Sequence, residues 1–217
     1  MTSKIFNIDC VEYMRTIPDK FFDLAVCDPP YGINAGKMTM GTGVNRSYSH
    51  DKDWDARIPG PEYFEELFRV SREQIIFGGN YFPLPLSEDW IVWDKMNDGR
   101  SFSEAELAWC SVHRKMRIFH FRTTTPVKGG KIHPTQKPVE LYSWIFANYA
   151  RGGAKILDTH LGSGSSRIAA YYAGMDFYGC EIDPEYFAAA EQRFKRECRG
   201  IDIVGGKEIQ QLNLFDL

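Results

Sequence analysis

Asp28-Pro29-Pro30-Tyr31 follows directly on the apolar run Phe22-Asp23-Leu24-Ala25-Val26-Cys27. Two prolines cannot continue a strand ladder, so the chain must turn at the carboxyl end of that strand, where open α/β sheets bind ligands. The turn gathers a carboxylate, the backbone carbonyl of Pro29 and an aromatic ring at one cleft. A stiff surface turn in which Tyr31 merely packs is the plainer alternative, and the full tetrapeptide after a buried strand favours the site over it.

The second candidate is Lys155-Ile156-Leu157-Asp158-Thr159-His160-Leu161-Gly162-Ser163-Gly164-Ser165, a strand that runs into a glycine turn and then a helix. Glycine lets a ligand approach the backbone, and a helix N-terminus offers free N–H groups and positive potential. Gly-x-Gly alone is weak evidence. About 20 residues further on, the spacing of nucleotide-binding folds, comes Tyr178-Gly179-Cys180-Glu181-Ile182-Asp183, a strand ending in an acid. Glu181 is placed to take both hydroxyls of a ribose, and Asp183 to cap the next helix. Together these point to a nucleoside-bearing cofactor.

Such residues need strands and helices in alternation to hold them. Apolar, β-rich runs lie near 4–8, 23–27, 74–78, 90–93, 106–112, 117–121, 155–158 and 177–181, and helical periodicity covers 11–17, 61–71, 138–150, 164–174 and 184–197. The pattern predicts a mainly parallel sheet with helices on both faces. Pro138 suits a first helical turn, and Val139, Tyr142, Ile145, Phe146 and Tyr149 recur at helix spacing. Residues 90–121 hold three strand-like runs with no helix between them, so antiparallel pairing at one sheet edge is expected. Residues 32–60 and 122–137 read as long loops, which in compact domains often serve function.

With 217 residues the chain has room for one catalytic domain and no large second one. Lys and Arg number 26 against 29 Asp and Glu, a net charge of −3, with 43 % hydrophobic and 14 % aromatic residues. Disorder, collagen and a globally basic nucleic-acid coat are excluded. The five cysteines, Cys10, Cys27, Cys110, Cys180 and Cys198, form no CxxC pair and no zinc spacing, so no metal is expected and reduced thiols in a cytoplasm fit. Neither a signal peptide nor a membrane span is legible. Charge is unevenly spread. From Leu107 to Val139 there is no acid, while Arg114, Lys115, Arg117, Arg122, Lys128, Lys131 and Lys137 are basic. Such a stretch fits phosphate binding, with a merely solvated face as the alternative.

The two motifs, with His133-Pro134-Thr135-Gln136-Lys137-Pro138 and with Glu181 ahead of Tyr186 and Arg193-Phe194, resemble the DNA amino-methyltransferases that use S-adenosylmethionine. The catalytic motif precedes the cofactor loop, an order that resembles the circularly permuted β class of adenine-N6 and cytosine-N4 enzymes. The resemblance covers most of the chain and implies a single Rossmann-like α/β methyltransferase domain over 1–217, with target recognition around 107–137. It implies catalysis by Asp28, Pro29, Pro30 and Tyr31. The implied cofactor pocket draws on Asp9, Cys10, Asp28, Thr135, Gln136, Lys137, Asp158, His160, Gly162, Ser163, Gly164, Ser165, Glu181 and Ile182. Asp9 reads equally well as a helix cap. Thr159 and His160 stand where such enzymes carry Pro and Phe, and His160 fills the aromatic's place without being assigned a basic role.

Under that resemblance Asp28 and the Pro29 carbonyl accept the two N–H bonds of an exocyclic amine and expose its nitrogen lone pair, while Tyr31 stacks on a base flipped out of duplex DNA. The form DPPY points to adenine N6. Cytosine N4, or a methylation-dead protein of the same fold that binds DNA or a clamp, are the other readings. DNA contact falls to Lys37, Arg46, Arg114, Lys115, Arg117, Arg122, Lys128 and Lys131. The tail 207–217 contains Gln211-Leu212-Asn213-Leu214-Phe215, which resembles the peptide that docks on the bacterial replication sliding clamp. A terminal strand packed on its own domain is the alternative. Some relatives dimerise, so a homodimer is among the states the resemblance allows.

Overall fold

Strand β2 (Phe22–Cys27) alternates its side chains between two apolar layers: Leu24 and Val26 enter one core, Ala25 and Cys27 the other. β3 (Ser71–Phe77) does the same, with Ile75 and Phe77 on one side and Ile76 on the other. A strand apolar on both faces needs helices on both, as parallel sheets do. In this computed structural model, which describes residues 1–35, 53–99, 103–112, 115–122, 130–204 and 207–210, both faces are covered.

One layer is α1 (Cys10–Arg15) and α2 (Pro61–Val70), which bury Tyr13, Met14, Tyr63, Phe64, Leu67 and Val70. The opposite layer is α3 (Val139–Tyr149), α4 (Ser165–Tyr172) and α5 (Pro184–Arg199). α3 packs Leu141, Tyr142, Ile145, Phe146 and Tyr149 into that core, where each large apolar side chain contributes about 1.5–3 kcal/mol. Pro138 sits just before α3 as its N-cap and not inside its first turn.

The sheet has eight strands in the order β1-β8-β7-β2-β3-β5-β4-β6, where β1 is Ser3–Phe6, β4 Trp90–Asp94, β5 Ala105–Cys110, β6 Arg117–His120, β7 Lys155–Asp158 and β8 Asp176–Cys180. The first five are mutually parallel, and β5 runs antiparallel to both β3 and β4. This is the mainly parallel Rossmann-like α/β sheet with an antiparallel edge that the sequence predicts. One pairing differs: β6 skips its sequence neighbour β5 and pairs in parallel with β4. The chain passes from β5 across β4 to the outer edge, so the third run of the middle segment arrives pointing the same way as β4.

β2 and β7 are neighbours, yet the chain proceeds from β2 toward β3 on one side and from β7 toward β8 on the other. Adjacent strands whose connections diverge leave a crevice at their carboxyl ends, the usual ligand position in open α/β sheets. Asp28 and Asp158 both stand there. The sequence reading missed a hairpin of β9 (Ile201–Val204) and β10 (Lys207–Gln210), tied to α5 by Lys195 on Glu208 at 2.6 Å and by Gln210 donating to the Arg199 carbonyl at 3.2 Å. The first residues of the supposed tail are thus a strand of this fold.

Candidate active site

Asp28 leaves the sheet where β2 ends, and its carboxylate is held from two sides. The Tyr31 hydroxyl donates to Oδ1 at 2.6 Å, and the Lys137 ammonium meets Oδ2 at 2.5 Å. Lys137 also pairs with Glu106 of β5 at 2.6 Å, and Glu106 pairs with Lys95 at 3.1 Å. Glu106 Oε1 lies 2.8 Å from the Tyr31 hydroxyl oxygen. Burial raises the Asp28 carboxyl above its ordinary value; Lys137 opposes that rise and the Glu106 charge adds to it. Burial also works to raise Glu106, but the two lysines outweigh it and hold that carboxyl down at about 2. Burial opposes the Lys137 charge, yet its two carboxylates keep the ammonium above its ordinary range.

The Asp28–Tyr31 turn is braced by one carboxylate and two aromatic rings. Asp55, only 2 % exposed, accepts the backbone amides of Tyr31 at 2.6 Å, Gly32 at 3.0 Å and Ala35 at 2.7 Å. Tyr31 stacks on the half-exposed Tyr81, ring centroids 5.0 Å apart, and meets Phe82 edge-on. The ring lies so close to Gly78 that a Cβ there would stand 2.2 Å from it, and Gly78 has φ +66°, so only glycine fits. Cys27 is fully buried and its thiol is pushed up to about 12 by burial, which makes it a core residue and not a nucleophile.

A separate cleft is lined by Ile8, Asp9, Cys10, Thr159, His160, Glu181 and Ile182. Glu181 braces it: Oε2 accepts the Gly162 amide at 2.8 Å and Oε1 the Asp183 amide at 2.9 Å. Asp9 caps α1, its Oδ1 accepting from Val11 and Glu12, and it also lines the cleft. Asp183 caps α5 as expected. Burial keeps His160 neutral, with its pKa down at about 4, and the ring packs against Tyr63. Cys10 is similarly inert, its thiol raised to about 12 by burial.

Several other predicted cofactor residues turn their side chains into the loop itself. Asp158 accepts the His160 amide and the Ser166 hydroxyl, and burial raises its carboxyl to about 7. Ser163 and Ser165 face each other, and Arg193 donates to the Ser163 carbonyl and to Ser165 Oγ. Thr135 turns to His133 Nδ1, and Gln136 accepts the Ile132 amide. Gly162 and Gly164 take φ of +50° and +73°, which leaves bare backbone at the turn. Lys137 departs furthest from its expected place: its carbonyl accepts from Ser165 Oγ at 2.7 Å, while its ammonium is shared by Asp28 and Glu106.

Of the DNA candidates, Lys115, Arg122 and Lys131 are exposed. Arg117 is not free for phosphate: it donates to Asn148 and lies over the Trp144 ring, fastening β6 to α3. Lys37, Arg46, Arg114, Lys128 and Gln211–Phe215 lie outside the described residues. Sequence reading missed Glu106, Lys95, Asp55 and Tyr81. Glu106 carried one signal, an acid inside a run otherwise apolar from Ala105 to Cys110. Among the described residues no group of His, Cys, Asp and Glu is arranged to hold a metal, and no helix is long and apolar enough to cross a membrane.

The sequence and the fold resemble those of known proteins. A family model for N6/N4 methyltransferases, described as DNA methylase, matches residues 92–192. The Type II methyltransferase M.HinfI of Haemophilus influenzae is 24 % identical over 88 % of this chain and 68 % of its own. Among solved structures, the M1.HpyAVI–SAM complex superposes with a TM-score of 0.60 at 19 % identity, covering 88 % of this chain and 98 % of that one. The PvuII DNA methyltransferase, described as cytosine-N4-specific, gives 0.61 at 12 % identity, covering 89 % and 86 %.

Proposed function

We propose that this chain, which a DNA methylase family model matches over residues 92–192, methylates the N6 amine of a flipped adenine in duplex DNA, with S-adenosylmethionine as donor. The observation that carries this reading is Lys137, which joins the two halves of the site. Its carbonyl is bonded to Ser165 of the glycine loop, and its ammonium to the Asp28 carboxylate.

The cleft suits a nucleoside. Each carboxylate oxygen has two lone pairs, so Glu181, with one amide on each, can still accept a pair of ribose hydroxyls. Ile182, 66 % exposed, and Ile8 present apolar surface beside that carboxylate for a base ring. Bound there, S-adenosylmethionine supplies an electrophilic methyl group. Asp28 and the Pro29 carbonyl accept the amine's N–H bonds and free its lone pair, which conjugation into the ring otherwise withholds. Positioning and fixed charge then supply most of the acceleration. The stacked Tyr31 and Tyr81 form an aromatic wall for the extruded base, and Lys115, Arg122 and Lys131 contact phosphate.

The choice of adenine rests on DPPY. Incubation with labelled S-adenosylmethionine and duplex DNA, followed by nucleoside digestion and mass spectrometry, is expected to yield N6-methyladenine. N4-methylcytosine would replace the base assignment, and absence of label from DNA would refute the reading.

A further inference from the structure

Glu106 is the second residue of β5, opposite Trp93 of β4, and neither of the sequence motifs contains it. A charged side chain on a central strand is costly to bury unless paired. Here it is paired twice, with Lys95 at 3.1 Å and Lys137 at 2.6 Å, and its Oε1 also faces the Tyr31 hydroxyl. Lys137 is itself only 4 % exposed in its side chain and has two carboxylates within 2.6 Å. Two acids and two lysines balance in charge, so the Lys137 ammonium is divided between Asp28 and Glu106.

That division has a chemical consequence. An amine that has gained a methyl group must shed a proton, and Asp28 is the acceptor within reach under the reading above, on which this inference rests. The N–CH3 bond forms as the pair of the breaking C–S bond stays on sulfur. The N–H pair then returns to nitrogen as the proton passes to an Asp28 oxygen, leaving a neutral methylamino group and a carboxylic acid. A lysine paired wholly with Asp28 would make that oxygen a poor acceptor. We propose that Glu106 is a positioning residue that draws the Lys137 ammonium partly away from Asp28, so that Asp28 remains basic enough to take the proton.

The charged and titratable groups around Asp28 are Tyr31 on its own turn, Lys137 ahead of α3, Glu106 on β5, Asp158 at the end of β7 and Tyr142 of α3. Of these, Lys137 is the cation, and Glu106 is the anion that shares it.

The test compares the parent protein with Glu106→Gln and Glu106→Asp in steady-state methyl transfer across pH. Glu106→Gln keeps the shape and loses the charge. Expected are a fall in plateau kcat of about tenfold and an acid limb moved down by about one pH unit. KM for DNA and the Kd for S-adenosylmethionine should stay at parental values. Glu106→Asp, which keeps the charge, should return the limb toward its parental position. A Gln variant with parental kcat and limb would overturn the proposal, and so would an Asp variant shifted as far as Gln. A parent protein that places no label in DNA would instead refute the methyltransferase reading, so the two failures are distinct.

Discussion

Asp55 holds the backbone of Tyr31: its Oδ1 accepts the Tyr31 amide at 2.6 Å, and the same carboxylate collects Gly32 and Ala35. A turn begun by two prolines has few amides with which to brace itself, since proline donates none. The brace comes from 24 residues downstream, at the far end of the loop. Asp55→Ala leaves three backbone donors without that acceptor. A buried unmet donor costs about 1–3 kcal/mol, so the thermal midpoint should fall by several degrees. Methyl transfer should fall more than cofactor affinity does, because the slack appears at Asp28 and Tyr31 and not at Glu181. Calorimetric unfolding together with cofactor titration checks both halves. An unchanged midpoint would mean that the turn supports itself.

Glu181 joins the end of β8 to the glycine turn through Gly162 and the start of α5 through Asp183. Glu181→Gln preserves size but has one acceptor oxygen where there were two. It should weaken S-adenosylmethionine binding by at least about tenfold, roughly 1.4 kcal/mol, with kcat at saturating cofactor less affected. Isothermal titration measures the first and saturation kinetics the second. Equal affinity in the two proteins would remove Glu181 from the cofactor site.

How much of this was legible in one dimension follows from where each partner sits. Asp28-Pro29-Pro30-Tyr31 and the glycine turn announce themselves because a strand end, a turn and a helix start occupy consecutive residues. Asp183 is equally local, since a cap bonds to amides two and three residues on. Glu106, Asp55 and Tyr81 act across sheet neighbours or between loops, and such partners depend on strand order. β5 lies next to β3 only because the chain reverses, and β6 is parallel to β4 only because it crosses β4's far side. Arg117 shows the converse: a basic residue in an acid-free stretch reads as a phosphate ligand until α3 supplies Asn148 and Trp144.

Burial of Asp158 is expected to make the protein's stability depend on pH. Burial raises its folded-state pKa from 3.8 to about 7. Between those values the unfolded chain has released the proton while the folded chain retains it, so this carboxyl's contribution to stability falls as pH rises from about 4 to about 7 and is level above that. Asp158→Asn cannot titrate. Its stability should change less steeply than the parent's over that window, by up to about 1.4 kcal/mol per pH unit. Denaturant unfolding at pH 5, 6 and 7 reads the difference, and parallel curves would show that Asp158 is ionised throughout.

Lys137 pairs with Asp28 at 2.5 Å and, through its carbonyl, accepts from Ser165 beside the glycine turn, so it links the two motifs. The decisive measurement is transfer of tritiated methyl from S-adenosylmethionine to duplex DNA by the parent protein and by Asp28→Ala, at matched cofactor occupancy. Label should enter DNA as N6-methyladenine with the parent, and the variant should lose at least about 100-fold in rate while still binding cofactor. An Asp28→Ala protein as active as the parent would contradict the assignment of the amine-activating carboxylate.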